Sequence, residues 1–185
     1  PIIRHWLVVS AQGGRHAAAL ADALVAKSHT VSRAIVEPAS PNMTEAIAST
    51  IAVAGRGEAS AIVYAVPLDL ADDDNWPSAA AIANEVTRLV EFGQTLSQVC
   101  DPGRTAPAVW IATRQGRSTG TADPLDRSGL VQGALLGAAR TLAVECPDMA
   151  FHQIDLDRAA LAQPEVVVDA MSAPAAESEM LVRRG

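Results

Sequence analysis

Lysine is almost missing from this sequence of 185 residues, since Lys27 is the single one among 14 basic side chains, and Tyr64 is its single tyrosine. Cysteine occurs twice, as Cys100 and Cys146, too few and too far apart for a disulfide framework or a metal site. Both read as small buried apolar residues in a reduced, cytoplasmic setting. Basic charge is scarce as well: 14 Lys and Arg against 21 Asp and Glu give a net charge of -7, leaving no stripe to neutralise a phosphate backbone. Nucleic acid is therefore excluded as a partner. No apolar run reaches membrane-spanning length and no charged-then-apolar leader opens the chain, so no membrane partner is expected either. Pro1 in place of an initiator Met reads as a cut from something longer. What remains is 49% hydrophobic and 19% charged, enough to bury one core, and residues 1–185 read as a single unit without linker or repeat.

The stretch from Ser128 to Asp157 organises the rest. Val131, Ala134, Leu135, Ala138 and Leu142 recur at helical spacing, with Ser128 placed to cap and Pro147 to stop the helix. Between Leu130 and Cys146 the clearly polar side chains are Gln132, Arg140, Thr141 and Glu145, too few for a broad wet face. Such a helix is expected to be covered on two sides, with Gly133 and Gly137 letting another backbone approach.

Before and after it, strand and helix patterns alternate. Trp6–Ser10 reads as a buried strand, Arg15–Lys27 as a helix with Ala17, Leu20 and Leu24 inward, and Val31–Val36 as a second strand. Asn42 and Glu45 are spaced to cap a helix carrying Ile47 and Ile51. Ala59–Val66 is a third strand, Ser78 to about Cys100 a long helix with Ile82, Val86, Leu89, Phe92 and Leu96, and Ala106–Thr113 a fourth strand. Ala150–Asp155, Pro164–Met171 and Glu179–Arg183 complete the series as strand, helix and strand. Strict alternation demands right-handed crossovers, hence an α/β fold with a Rossmann-like, doubly wound parallel sheet.

On such a sheet a dinucleotide would lie against the first turn, here Ser10-Ala11-Gln12-Gly13-Gly14-Arg15-His16-Ala17. Two adjacent glycines make a tight turn but not the spaced triple that admits a pyrophosphate, and Glu37 alone could serve a ribose. A reductase on this sheet pairs a proton-donating tyrosine with a lysine four residues on. Tyr64 is followed at that spacing by Leu68, so the pair is absent. Asp69, Asp72, Asp73 and Asp74 have the chemistry for Mg²⁺ but read as a solvated turn before a helix. Arg114 and Arg117 follow the fourth strand, where an anion could meet them, though a solvated loop is the plainer reading. His5, His16, His29 and His152 show no ligand spacing, and no Gly-x-Ser-x-Gly occurs. No catalytic, cofactor-binding or metal residue is assigned.

The run Gln132-Gly133-Ala134-Leu135-Leu136-Gly137-Ala138-Ala139-Arg140-Thr141-Leu142-Ala143-Val144-Glu145-Cys146-Pro147-Asp148, followed by Gln153-Ile154-Asp155-Leu156-Asp157, resembles the G-x-x-R-x-x-x-x-E-x-P and D-L-D blocks of polyketide synthase ketoreductases, especially actinobacterial ones. Trp110–Arg114 and Leu181–Gly185 resemble flanking segments of the same family. The resemblance implies a degenerate short-chain-dehydrogenase-like half, structural and not itself an enzyme, that binds no cofactor. It would pack on a following catalytic ketoreductase half that holds NADPH and reduces β-ketoacyl chains on an acyl carrier protein, among other synthase domains. The residues alone leave two alternatives open: a free-standing divergent short-chain reductase, and a small-molecule binding module.

Overall fold

The structure is a computed structural model that describes residues 4–36, 45, 49, 61–70, 78–99, 106–118, 127–173 and 178–184. Six strands, β1 (His5–Ala11), β2 (Thr30–Val36), β3 (Ala61–Tyr64), β4 (Ala108–Arg114), β5 (Ala150–Leu156) and β6 (Glu179–Val182), form one sheet. Every pairing is parallel, in the order β2-β1-β3-β4-β5-β6. Among the described residues five α-helices are complete enough to bound: α1 (Arg15–Ala26), α2 (Ala79–Val99), α3 (Arg127–Glu145), α4 (Arg158–Leu161) and α5 (Pro164–Ser172). The Rossmann-like fold expected from the alternation is the fold observed. The helix expected between Asn42 and Gly55 lies outside the described residues apart from positions 45 and 49, as do Glu37, Asp72–Asp74 and Cys100.

Helices cover both sheet faces, and for that reason the central strands β1, β3 and β4 read as near-continuous apolar runs rather than as alternation. Leu7, Val9, Ile62, Tyr64, Val109 and Ile111 point to the side where α2 brings Leu89, Phe92 and Leu96 and α3 brings Leu135, Ala139 and Leu142. Trp6, Val8, Ala61, Val63, Trp110 and Ala112 point to the other side, against Ala17, Leu20 and Leu24 of α1 and Val167, Val168 and Met171 of α5. Ile82 and Val86, expected inward with the rest of α2, are only half-buried.

Three expectations need correction. The third strand stops at Tyr64 rather than Val66, because Pro67 has no N–H for the ladder and the chain turns into a 3₁₀ segment, Val66–Asp69. Helix α3 begins at Arg127, so Ser128 lies inside its first turn. Nor is α3 covered on two sides within the described residues. Leu130 is 44% and Val144 77% exposed, and a Cβ on Gly137 would meet nothing within 4 Å. Only Gly133 has a close neighbour, the Gly116 carbonyl oxygen 3.3 Å from where its Cβ would sit. Gly137→Ala is accordingly expected to stabilise the isolated chain by about 0.5–1 kcal/mol through helix propensity alone, read as a higher urea midpoint.

At the sheet's far end Glu179 holds two guanidinium groups, Arg117 at 2.5 Å and Arg140 at 2.6 Å. Hydrogen bonds from Arg140 and Arg117 draw its carboxyl down to about 2. A depressed folded value means that the pair supports the fold above the unfolded carboxylate range and ceases to do so as pH falls towards 2. Glu179→Gln should therefore lower the denaturation midpoint at neutral pH, with the difference from the parent chain shrinking below pH 4 and in high salt.

Candidate functional site

The strand order reverses between β1 and β3, which opens a crevice at the carboxyl ends of those strands, the place where doubly wound sheets bind ligands. Its floor is the turn after β1. Gly13 takes φ +73°, a left-handed conformation that a side chain would strain, and the Gly14 N–H closes the turn on the Ala11 carbonyl at 3.2 Å. Helix α1 starts directly afterwards, with Gly14 as its cap and no side chain of its own to satisfy the first amides.

Those amides are satisfied from across the crevice. The Asp69 carboxylate accepts from the His16 N–H at 2.9 Å through Oδ1 and from the Ala17 N–H at 3.1 Å through Oδ2. His16 Nδ1 lies 3.0 Å from the same Oδ1. Gly14 makes room for this arrangement, since a Cβ there would stand 2.6 Å from Asp69 Oδ2. An aspartate that looked like part of a solvated acidic turn is thus 7% exposed and committed to α1.

The segment bearing Asp69 is fixed at two further points. Gln132, fully buried on α3, donates through Nε2 to the Pro67 carbonyl at 2.8 Å and accepts the Arg114 N–H at 3.3 Å. Arg114 donates through its guanidinium to the Leu70 carbonyl at 2.5 Å. Neither Arg114 nor Arg117 stands as a free anion receptor: the first ties down this segment and the second is paired with Glu179.

Beside the crevice, Asp155 on β5 collects the loop that follows β4. Its carboxylate accepts from the Thr113 hydroxyl at 2.8 Å, the Gly116 N–H at 2.9 Å, the Arg117 N–H at 3.1 Å and the Arg183 guanidinium at 2.8 Å. Asp157 accepts from the Ala160 N–H at 2.6 Å, starting α4, and from the Arg184 N–H at 2.7 Å. Both acids of the D-L-D run therefore serve geometry at the carboxyl end of β5, on the loop after β4, the start of α4 and the residues after β6.

The remaining sequence candidates are not brought together. Tyr64 is 1% exposed, its ring 4.7 Å from Phe92, and its buried hydroxyl has no hydrogen-bond partner among the described residues. Burial, and then Glu85, push the phenol well above its ordinary range, so it stays protonated. Lys27 pairs with Asp169 on α5. Tyr64→Phe should leave the fold intact and raise its melting temperature or leave it unchanged, because the substitution removes an unsatisfied polar atom. His5 meets the Ser32 hydroxyl, His29 accepts the Arg4 N–H, and His152 stacks on Trp110. No cluster of metal-binding side chains occurs among the described residues. No described helix is long and apolar enough to cross a membrane.

No family model and no curated protein matches the chain. Solved structures do. A carbonyl reductase from Pseudomonas aeruginosa PAO1 superposes with a TM-score of 0.66 at 16% identity, over 97% of this chain and 96% of that one. The putative carbonyl reductase Sniffer of Caenorhabditis elegans gives 0.68 at 13% identity, over 98% and 97%. An A-type ketoreductase of a modular polyketide synthase gives 0.61 at 24% identity, over 97% of this chain but 36% of that one. The sheet and its helices are thus arranged as in these reductases.

These likenesses correct the expectation that the chain stands outside enzymes. The fold matches carbonyl reductase chains nearly end to end, not just a portion of a larger protein. The Pseudomonas enzyme has also been solved in complex with NADP. In this chain the described turn does not fit a dinucleotide diphosphate as it stands: the two amides at the start of α1 are already bonded to Asp69, and the space over Gly14 holds its carboxylate.

Proposed function

We propose that this chain acts in carbonyl reduction, as a short-chain-type reductase chain whose reaction draws a hydride from a nicotinamide dinucleotide. The observation that carries the reading is the superposition of the whole six-stranded fold on carbonyl reductase chains with nearly complete coverage of both. The missing tyrosine–lysine pair makes it a divergent member of that kind, with a proton donor other than the buried Tyr64.

A second reading is favoured by the filled crevice and by the ketoreductase likeness, in which this chain spans 36% of the other. In it the chain is the first half of a polyketide synthase ketoreductase, and the half that follows holds NADPH and the reacting β-ketoacyl group. The open outer face of α3, with Leu130, Gly137 and Val144, would then lie against that companion.

One assay separates the two. NADPH oxidation with a β-ketoacyl thioester is followed for this chain alone and together with a catalytic ketoreductase half as companion. Turnover by the chain alone supports the first reading, and turnover only with the companion supports the second. Absence of turnover in both arms, with both proteins folded, would overturn carbonyl reduction as the function.

A further inference from the structure

We propose that the Asp69 carboxylate is a built-in substitute for a phosphate group, occupying the anion position at the start of α1 and keeping a dinucleotide diphosphate off this edge of the sheet. Helix starts attract anions because their first amides lack partners and carry the positive end of the helix dipole. In sheets of this kind a phosphate takes those amides. Here the second and third amides of α1, those of His16 and Ala17, each donate to a different oxygen of one carboxylate.

Two further observations make this more than an ordinary cap. Gly14 has the role a glycine plays beneath a phosphate, allowing an anion to approach the backbone closely; the group that approaches is Asp69 Oδ2, 2.6 Å from the position of the missing Cβ. The carboxylate also arrives from a segment held on both sides, by Gln132 on the Pro67 carbonyl and by Arg114 on the Leu70 carbonyl. It is held there as part of the tertiary structure and not as a side chain free to swing away. An incoming diphosphate would meet an occupied pair of amides and a negative charge already in place.

The inference sides with the second reading, in which the following half holds the dinucleotide; its test reads anion binding and not turnover, so its failure would leave both readings of the reduction assay standing. Inorganic pyrophosphate and NADPH are titrated into the parent chain and into Asp69→Ala, with the His16 and Ala17 amide resonances and the melting temperature as readouts. The parent chain should show no shift at either amide. Asp69→Ala should melt lower in chloride, regain part of the loss in pyrophosphate, and bind pyrophosphate about tenfold or more tightly than the parent, with both amides moving. If Asp69→Ala does not fold, Asp69→Ser keeps one acceptor and frees the second amide, and the same gain is expected at the freed amide. Pyrophosphate or NADPH shifting His16 and Ala17 in the parent would overturn the proposal. So would a folded Asp69 variant whose amides ignore pyrophosphate, since the carboxylate would then be a plain helix cap.

Discussion

Asp155→Ala is expected to cost the fold about 3–5 kcal/mol, the range for removing one partner from a buried charge pair. Asp155 is 1% exposed, and its partner Arg183 retains only 16% of its side-chain exposure. The alanine would leave that guanidinium without its carboxylate, although the carbonyls of Asp155 and Arg117 would still accept from it at 2.8 Å. It would also orphan the buried Thr113 hydroxyl and the amides of Gly116 and Arg117, each a donor that folding has taken from water. Because those amides set the path of the chain after β4, the damage should spread to residues 115–118 and the end of β6. Guanidinium denaturation measures the total, and hydrogen exchange at Gly116 and Arg117 locates it. A loss below about 1 kcal/mol would mean that the cluster is a by-product of the fold and not a support for it.

The aspartates show why the crevice was harder to read than the sheet. Trp6–Ser10 and Trp110–Thr113 declare themselves as strands because both faces are buried and every position is therefore apolar or small. That signal is local. The partnership of Asp69 with His16 and Ala17 spans more than fifty positions, and nothing around Asp69 distinguishes it from the acidic residues that follow in Asp72–Asp74. His16 looked isolated for the same reason. Asp155 and Asp157 stood out only within a recurring block, and their roles depend on Arg183, Arg184 and the loop after β4, which come together through strand order. Gln132 was counted as one of few polar residues on α3, and its scarcity was informative: a buried amide must find partners, and it ties α3 to the Pro67 carbonyl and to β4. The poverty of polar residues elsewhere on α3 points to cover on a second side, which the described residues do not supply. Apolar composition records that a face avoids polar groups, not which molecule, if any, lies against it.

That distinction can be measured on α3 itself, where Leu142→Ala should destabilise the isolated chain by about 2–5 kcal/mol and Val144→Ala by no more than about 0.5. The two side chains are two positions apart on one helix, so their backbone environments are close; the propensity gained on going to alanine is only a few tenths of a kcal/mol, about 0.5 for the β-branched Val144, and the main difference lies in what surrounds them. Leu142 is 5% exposed and belongs to the core between α2, α3 and the sheet. Its methyl groups lie over Gly93 of α2, where a Cβ would come within 2.6 Å of Leu142 Cδ2. The glycine and the leucine are therefore complementary, and deleting the side chain leaves a void bounded by helix backbone that cannot easily collapse. Val144 is 77% exposed, and its methyl groups meet water in this chain. Denaturation midpoints of the two variants, taken on the chain alone, give the contrast directly. Repeating the pair in the presence of a catalytic ketoreductase half, the companion of the second reading, asks whether Val144 acquires a cost there: a rise from near zero to 1 kcal/mol or more would place a companion on the outer face of α3, while an unchanged value would leave that face to solvent.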